Sequence, residues 1–291
     1  MNDAQHLTQS LGGHWRGQSG NAPCPVCQPE RRPDQVGLSL RNTRGRLLLH
    51  CHKNDCAFAD IVRAVGLPPL GPCDYLKTIH RDDAEAFLKA GKRENQAKAI
   101  WAEAQPVQGT LAETYLCGRG ITCALPDTLR FHPHGWHQTG HHLPMLVARV
   151  DGAARFAVHR TYLNLTGGKA KLDPPKAMLG TCAGGAVRLS QAEGPFVLCE
   201  GIETGLSLLC GLLRGPATVL AALSTSGLRG LHLPRNPGRL TIASDGDSPG
   251  REAAKTLAFK AQALGWQVSL LPAPDGRDWN DIIAMKQGAA C

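Results

Sequence analysis

A multidomain α+β chain is what this sequence predicts, and three observations carry that reading. Two cysteine pairs near the start flank a stretch that alternates apolar and polar residues. A mixed middle portion holds short strands such as MLVARV and ARFAVHRTYL. From Pro195 onward, short apolar runs alternate with helical ones, the pattern of a parallel sheet covered on both faces. With 291 residues there is room for two domains and a small third unit.

The first unit, residues 1–67, holds CPVC (Cys24, Cys27) and CHKNDC (Cys51, Cys56). Between them, VGLSLRNTRGRLLLHC predicts a β-hairpin turning around Asn42 to Gly45. Four thiolates at C-x2-C and C-x4-C spacing suit one tetrahedral, structural zinc ion in a zinc-ribbon-like domain. So small a segment has little apolar core, and metal binding would supply much of its folding free energy. His50 and His52 flank Cys51, and either could stand in for a cysteine. Phe58, Ile61, Val62 and Val65 then share one helical face, closed by Gly66 and two prolines.

Residues 68–105 read as a linker, PPLGPCDY, followed by an exposed, charged helix from Arg81 to Ala104. The mixed, basic α/β subdomain spans 106–192 and ends in GGKAKLDPPKAMLG. Within it, RFHPHGWHQTGHHLP carries His132, His134, His137, His141 and His142. Their spacing matches no helix face, and the surrounding Gly and Pro predict a polar loop rather than a metal site. Cys73, Cys117, Cys123, Cys182, Cys199, Cys210 and Cys291 have no paired spacing and read as core or incidental residues.

In the last domain, 193–291, ligands belong at the carboxyl ends of the parallel strands. Glu200 ends FVLCE, Asp245 ends LTIASD with Asp247 two residues on, and GRDWND follows the last strand. Carboxylates this close repel unless a cation lies between them. Hard oxygen ligands suit Mg²⁺ or Mn²⁺, which serve phosphoryl transfer. A net charge of +8 favours an anionic partner. The amino terminus shows no signal-peptide pattern and no run reaches a membrane span, so the expected compartment is a reducing cytoplasm, with no membrane partner.

FVLCEGIETGLSLL followed by LTIASDGDSPGREAA resembles the Toprim domain, which pairs a strand-end Glu-Gly with a later D-x-D. The cysteine quartet resembles the zinc-binding domain of bacterial-type primases, and HRTYLNLTGGKAKLDPPKAMLG their basic subdomain. All three stand in the primase order across about residues 22–284, and the chain most resembles the short zinc-finger-plus-Toprim primase-like proteins of phage, plasmids and mobile elements. The resemblance implies a DNA primase making short RNA primers on a single-stranded DNA template from nucleoside triphosphates. It implies catalytic Glu200, Asp245 and Asp247, with Asp278 joining them around Mg²⁺ or Mn²⁺. Arg160 and Lys176, and more weakly Lys169, would contact nucleotide or template. Arg251, at a helix start, would meet a phosphate or pair with Asp247.

Departures bear on activity. Thr204 stands where primases carry another aspartate, with Glu203 one place earlier, and Asn280 interrupts the last acidic pair between Asp278 and Asp281. The runner-up readings are a Toprim nuclease and a replication-accessory DNA-binding module with a weakened site. No G-x-x-x-x-G-K-[ST] loop is present, so a replicative helicase would be a separate protein.

Overall fold

Successive pairings tie the N-terminal strands into one antiparallel sheet, although two of those strands have only three and four residues. The computed structural model describes residues 4–32, 34–43, 46–67 and 72–288. These divide into two compact units, 1–84 and 85–291. In the first, helix α1 (Ala4–Ser10) precedes strands β1 (His14–Arg16), β2 (Ser19–Ala22), β3 (Leu38–Thr43) and β4 (Arg46–Cys51), and α2 (Phe58–Ala64) follows. The strands form one sheet in the order β1-β2-β3-β4. The predicted hairpin is β3–β4, with Leu38 opposite Cys51 and Thr43 opposite Arg46. Its two turn residues lie outside the described ones. Ile61 and Val62 of α2 are buried with Leu38, Leu40 and Leu49, and Gly66 leaves the helix at φ +72, a conformation that glycine adopts without strain.

Helix α3 (Pro72–Glu103) begins nine residues earlier than the charged segment suggests, so Pro72 to Tyr75 are helical rather than linker. Proline at a first helical position loses no hydrogen bond that the helix needs, which reconciles the two. The rest of the expected linker, 68–71, lies outside the described residues.

In the second unit, α4 (Leu111–Gly118) leads into β5 (Leu129–Trp136), β6 (His142–Val150), β7 (Ala157–Tyr162) and β8 (Lys176–Gly180). These four make an antiparallel meander in sequence order. The histidine-rich stretch is therefore a hairpin: His132, His134 and His142 lie on β5 and β6, and only His137 and His141 lie in the loop between them. Its Pro and Gly serve a bulge between His132 and Gly135, where a side chain on Gly135 would strike Met145. His132 faces Glu103 at 3.2 Å, His137 bonds Pro174 and Thr139, and His134 stacks on His142.

The chain continues through β9 (Val187–Arg188), β10 (Phe196–Cys199), α5 (Ile202–Leu209), β11 (Thr218–Ala221), α6 (Thr225–Gly230), β12 (Arg239–Ala243), α7 (Ser248–Ala263), β13 (Gln267–Leu270) and α8 (Trp279–Gly288). The sheet order is β13-β12-β10-β11-β9, parallel except for the edge strand β9, which runs antiparallel to β11. Alternation along β10 divides the cores. Val197 and Cys199 join Leu146, Ala148, Ile202 and Leu206 between the two sheets. Leu198 faces the other way, onto Leu257 and Ala254 of α7 and Leu228 of α6. On the far side of the meander, Met145, Val147, Val158 and Tyr162 pack on Ala97 and Trp101 of α3.

Candidate active site and metal centre

The N-terminal unit brings its four predicted ligands together. The sulfurs of Cys24, Cys27, Cys51 and Cys56 all lie within 4.8 Å of one another, and Cys27 and Cys51 are 3.6 Å apart. Tetrahedral Zn–S bonds of about 2.3 Å place sulfurs about 3.8 Å apart, so the donor set fits a zinc-binding cluster. Burial opposes ionisation of Cys51, but the N–H groups of Asn54, Cys56 and Lys53 turn toward its sulfur and bring its pKa down to about 6. The histidines stand outside this set. His52 bonds Ser39 at 2.9 Å, and His50 faces Asp55 at 3.9 Å.

The acidic residues of the second unit gather for a topological reason. Cys199 is paired in register with Ala243, so Glu200 and Asp245 emerge side by side from the carboxyl ends of adjacent parallel strands. Gly246 docks on the final loop, donating its N–H to the Arg277 carbonyl at 2.8 Å and accepting from Gly276 at 3.2 Å. A side chain there would run into the Pro274 carbonyl. That backbone contact brings Asp278 to the same edge.

Electrostatics report the crowding. Burial, then the neighbouring Asp245 and Asp247, push the Glu200 pKa up to about 7. Burial, then Asp278 and Asp247, raise Asp245 to about 6. Glu200 Oε1 is buried without a hydrogen-bond partner. A Cβ placed on Gly250 would lie 2.6 Å from Glu200 Oε1 and 2.8 Å from Asp247 Oδ1, so the small residue lets both carboxylates turn over the start of α7. An orphaned oxygen among repelling carboxylates is a donor set that suits a hard divalent cation. Among the described residues, only the cysteine quartet draws three or more ligand atoms within 4.8 Å of each other; the acidic edge is more open.

Several of these acids also hold the fold. Asp247 caps α7, accepting from the Gly250 N–H at 2.8 Å. Asp278 and Asp281 cap α8 reciprocally, each carboxylate accepting the other's N–H at 2.8 and 3.1 Å. Thr204 donates to Asp245 at 3.4 Å. The Asn280 amide is buried and donates to the Arg119 carbonyl at 2.7 Å and the Ser207 hydroxyl at 2.8 Å. Both departures from the primase pattern thus do work that a carboxylate cannot, since each donates a hydrogen bond.

The basic residues are less uniform than the resemblance implies. Lys176 opens β8 and reaches Glu203 of α5 at 2.9 Å, while Tyr115 of α4 donates to the other Glu203 oxygen at 2.7 Å. Burial alone would raise the Glu203 pKa; the Lys176 ammonium and the two hydrogen bonds outweigh it and hold the carboxyl near 2. Beside them, burial brings the His159 imidazole down to about 4, with Lys176 adding to the effect. Arg160 is buried on β7, its guanidinium 3.4 Å from the Trp136 carbonyl, and burial lowers its pKa. Lys169 is exposed on the loop before β8, in the shared field of Lys176, Glu203, Arg119 and Asp278. Arg251 pairs with Asp275 and bonds the Ala273 carbonyl, not Asp247. Glu203 and Tyr115 are the residues that motif reading missed as a unit; Glu203 beside the strand-end Glu-Gly was their one visible signal.

Residues 196–290 match the family model described as a Toprim domain, and residues 91–189 match one described as a domain of unknown function, DUF7146. The C-terminal segment is a Toprim domain. A search of curated proteins returns no match. Among solved structures, the chain is similar to a DNA primase domain from Pseudomonas aeruginosa, at 17% identity over 68% of this chain and 77% of that one, with a TM-score of 0.39. It is similar to the zinc-binding and RNA polymerase domains of the Aquifex aeolicus primase, at 14% identity over 100% and 82%, TM-score 0.39. The RNA polymerase domain of the Mycobacterium tuberculosis primase is also similar, at 17% identity over 69% and 80%, TM-score 0.40. Among the described residues, no helix is long and apolar enough to cross a membrane.

Proposed function

We propose that this chain is a DNA primase, a nucleotidyltransferase that makes short RNA primers on single-stranded DNA. The observation that carries the reading is Glu200: a buried, unpartnered carboxylate oxygen beside Asp245 and Asp247, at the strand ends of a Toprim domain. A divalent cation there, Mg²⁺ or Mn²⁺, supplies charge stabilisation for the phosphates and the departing pyrophosphate. Glu200, Asp245 and Asp247 hold it, and Asp278 borders it. Glu200, at the strand end beside Asp245 and Asp247, is also placed to take the proton of an attacking 3′-hydroxyl. Lys169 meets a nucleotide or template phosphate from the exposed side. Lys176 is held as the partner of Glu203, Arg160 lies against the Trp136 carbonyl, and Arg251 is held by Asp275. The zinc unit grips template in this scheme.

Thr204 and Asn280 favour the second reading, a DNA-binding accessory module, because two positions that carry carboxylates in primases are here spent on structure. The test is primer synthesis on single-stranded DNA with labelled nucleoside triphosphates and Mg²⁺ or Mn²⁺. Glu200→Gln and Asp245→Asn are the controls, since replacing Asp247 also uncaps α7. Short products that the controls abolish are expected. DNA cleavage without triphosphates would make the chain a nuclease, and metal-independent DNA binding alone would leave the accessory module.

A further inference from the structure

Cys123 and Cys210 are 87 residues apart and unremarkable in spacing, yet the fold sets them against each other. Cys210 follows the last turn of α5, and Cys123 lies in the loop after α4. The backbone N–H groups of Thr122 and Cys123 both donate to the Cys210 sulfur, each at 3.3 Å. The Cys123 thiol bonds the Leu206 carbonyl at 3.6 Å, which also takes the Cys210 N–H at 3.0 Å. Both side chains are partly exposed.

Two packed thiols filling a core gap would explain the contact but not the amides. A thiol sulfur is a weak acceptor, whereas two N–H donors aimed at one sulfur stabilise a thiolate. Burial, and then the bond to Cys210, hold the Cys123 thiol up at about 12. The two sulfurs are therefore unlike: Cys210 receives both N–H donors, while the Cys123 thiol itself donates to the Leu206 carbonyl.

We propose that Cys123 and Cys210 form a disulfide-forming modification site, in which Cys210 attacks a low-molecular-weight disulfide and Cys123 resolves the product. The Cys210 thiolate attacks one sulfur of the small disulfide, a new S–S bond forms, and one small thiolate leaves. Cys123 then loses its proton to solvent and attacks the Cys210 sulfur, and the second small thiolate leaves. Two electrons pass from the protein thiols to the small disulfide, and two protons leave with them. The bond ties the α4–β5 loop to the end of α5. That loop includes Arg119, whose carbonyl holds Asn280 and whose guanidinium lies 4.0 Å from Asp278. The site does not depend on the primase reading.

The test uses the full, zinc-loaded chain incubated with oxidised glutathione and mapped by mass spectrometry without reduction. A peptide pair linking Cys123 to Cys210 is expected, with a melting temperature above that of the reduced protein, because the bond closes a long loop. Cys123→Ser is expected to stop at a glutathione adduct on Cys210, and Cys210→Ser to form neither adduct nor link at Cys123. The exposed Cys117 is the internal control for general reactivity. The proposal falls if Cys117 is modified while Cys210 remains a free thiol. It also falls if the native chain retains the adduct at Cys210 without the internal bond, or if Cys210→Ser takes up glutathione at Cys123 as fast as the native chain reacts.

Discussion

The Lys176 ammonium lies 2.9 Å from a Glu203 carboxylate that is also bonded by Tyr115, so β8, α5 and α4 meet at one buried charge. Removing the cation leaves that charge with a single neutral partner. Lys176→Met is therefore expected to destabilise the second unit by about 2–3 kcal/mol, the lysine being a third exposed and the glutamate nearly buried. Lys176→Met/Glu203→Gln is expected to recover part of the loss. Urea denaturation of the native chain, both single variants and the double variant checks this; a double-variant cost equal to the sum of the two single costs would show that the pair does not couple.

Restoring the acidic pattern at residue 280 is expected to fail. Asn280→Asp exchanges two N–H donations for a buried carboxylate facing a carbonyl and a hydroxyl oxygen. The expected cost is about 2–4 kcal/mol, with no gain in metal affinity. Thermal melts with and without Mg²⁺ give both quantities, and a larger Mg²⁺ shift in the variant would contradict the structural role.

The acidic edge has its own pH dependence. Glu200 titrates near 7 in the fold against about 4.5 in the unfolded chain. Between those values the folded state holds more protons, so this group's contribution to stability is full at low pH and is lost as pH rises through 7. A bound divalent cation reverses the penalty. Without metal, Glu200→Gln is expected to melt higher than the native chain at pH 8 and alike at pH 4.5. Mg²⁺ is expected to raise the native melting temperature more at pH 8 than at pH 5.5, and to act little on the variant. A native Mg²⁺ shift that does not change with pH would remove Glu200 from the metal site.

Zinc removal is expected to act on one unit. Metal analysis should return one zinc per chain, and Cys51→Ser or a strong chelator should unfold residues 1–67 while the second unit keeps its protection from hydrogen exchange. Uniform loss of protection across the chain would show that the units are not independent in stability.

The cysteine quartet was legible because metal coordination forces ligands into close pairs along the chain. Glu200 and Asp245 were legible because a parallel sheet presents its strand ends together. The burial of Arg160 was not: in a strand buried on both faces, no alternation in the sequence marks an arginine as inward. The Lys176–Glu203–Tyr115 cluster was hidden for a different reason, being assembled from three elements by tertiary packing. His132, His134 and His142 fall on strands rather than in the expected loop because Gly and Pro mark loops and bulges alike, and Cys123 and Cys210 carry no local signal at all.

Strand β9 belongs to the chain before the Toprim segment, yet it closes that segment's sheet, pairing Val187 with Ala221 and Arg188 with Leu220. The core beneath is shared as well, Leu146 and Ala148 lying with Val197 and Ile202. The two matched segments are therefore not interchangeable cassettes. A fragment begun at residue 193 would carry a bare β11 edge and a half-uncovered apolar face, the two features that drive soluble chains into aggregates. Recombination that swaps one segment without the other has to rebuild a strand and a core at once.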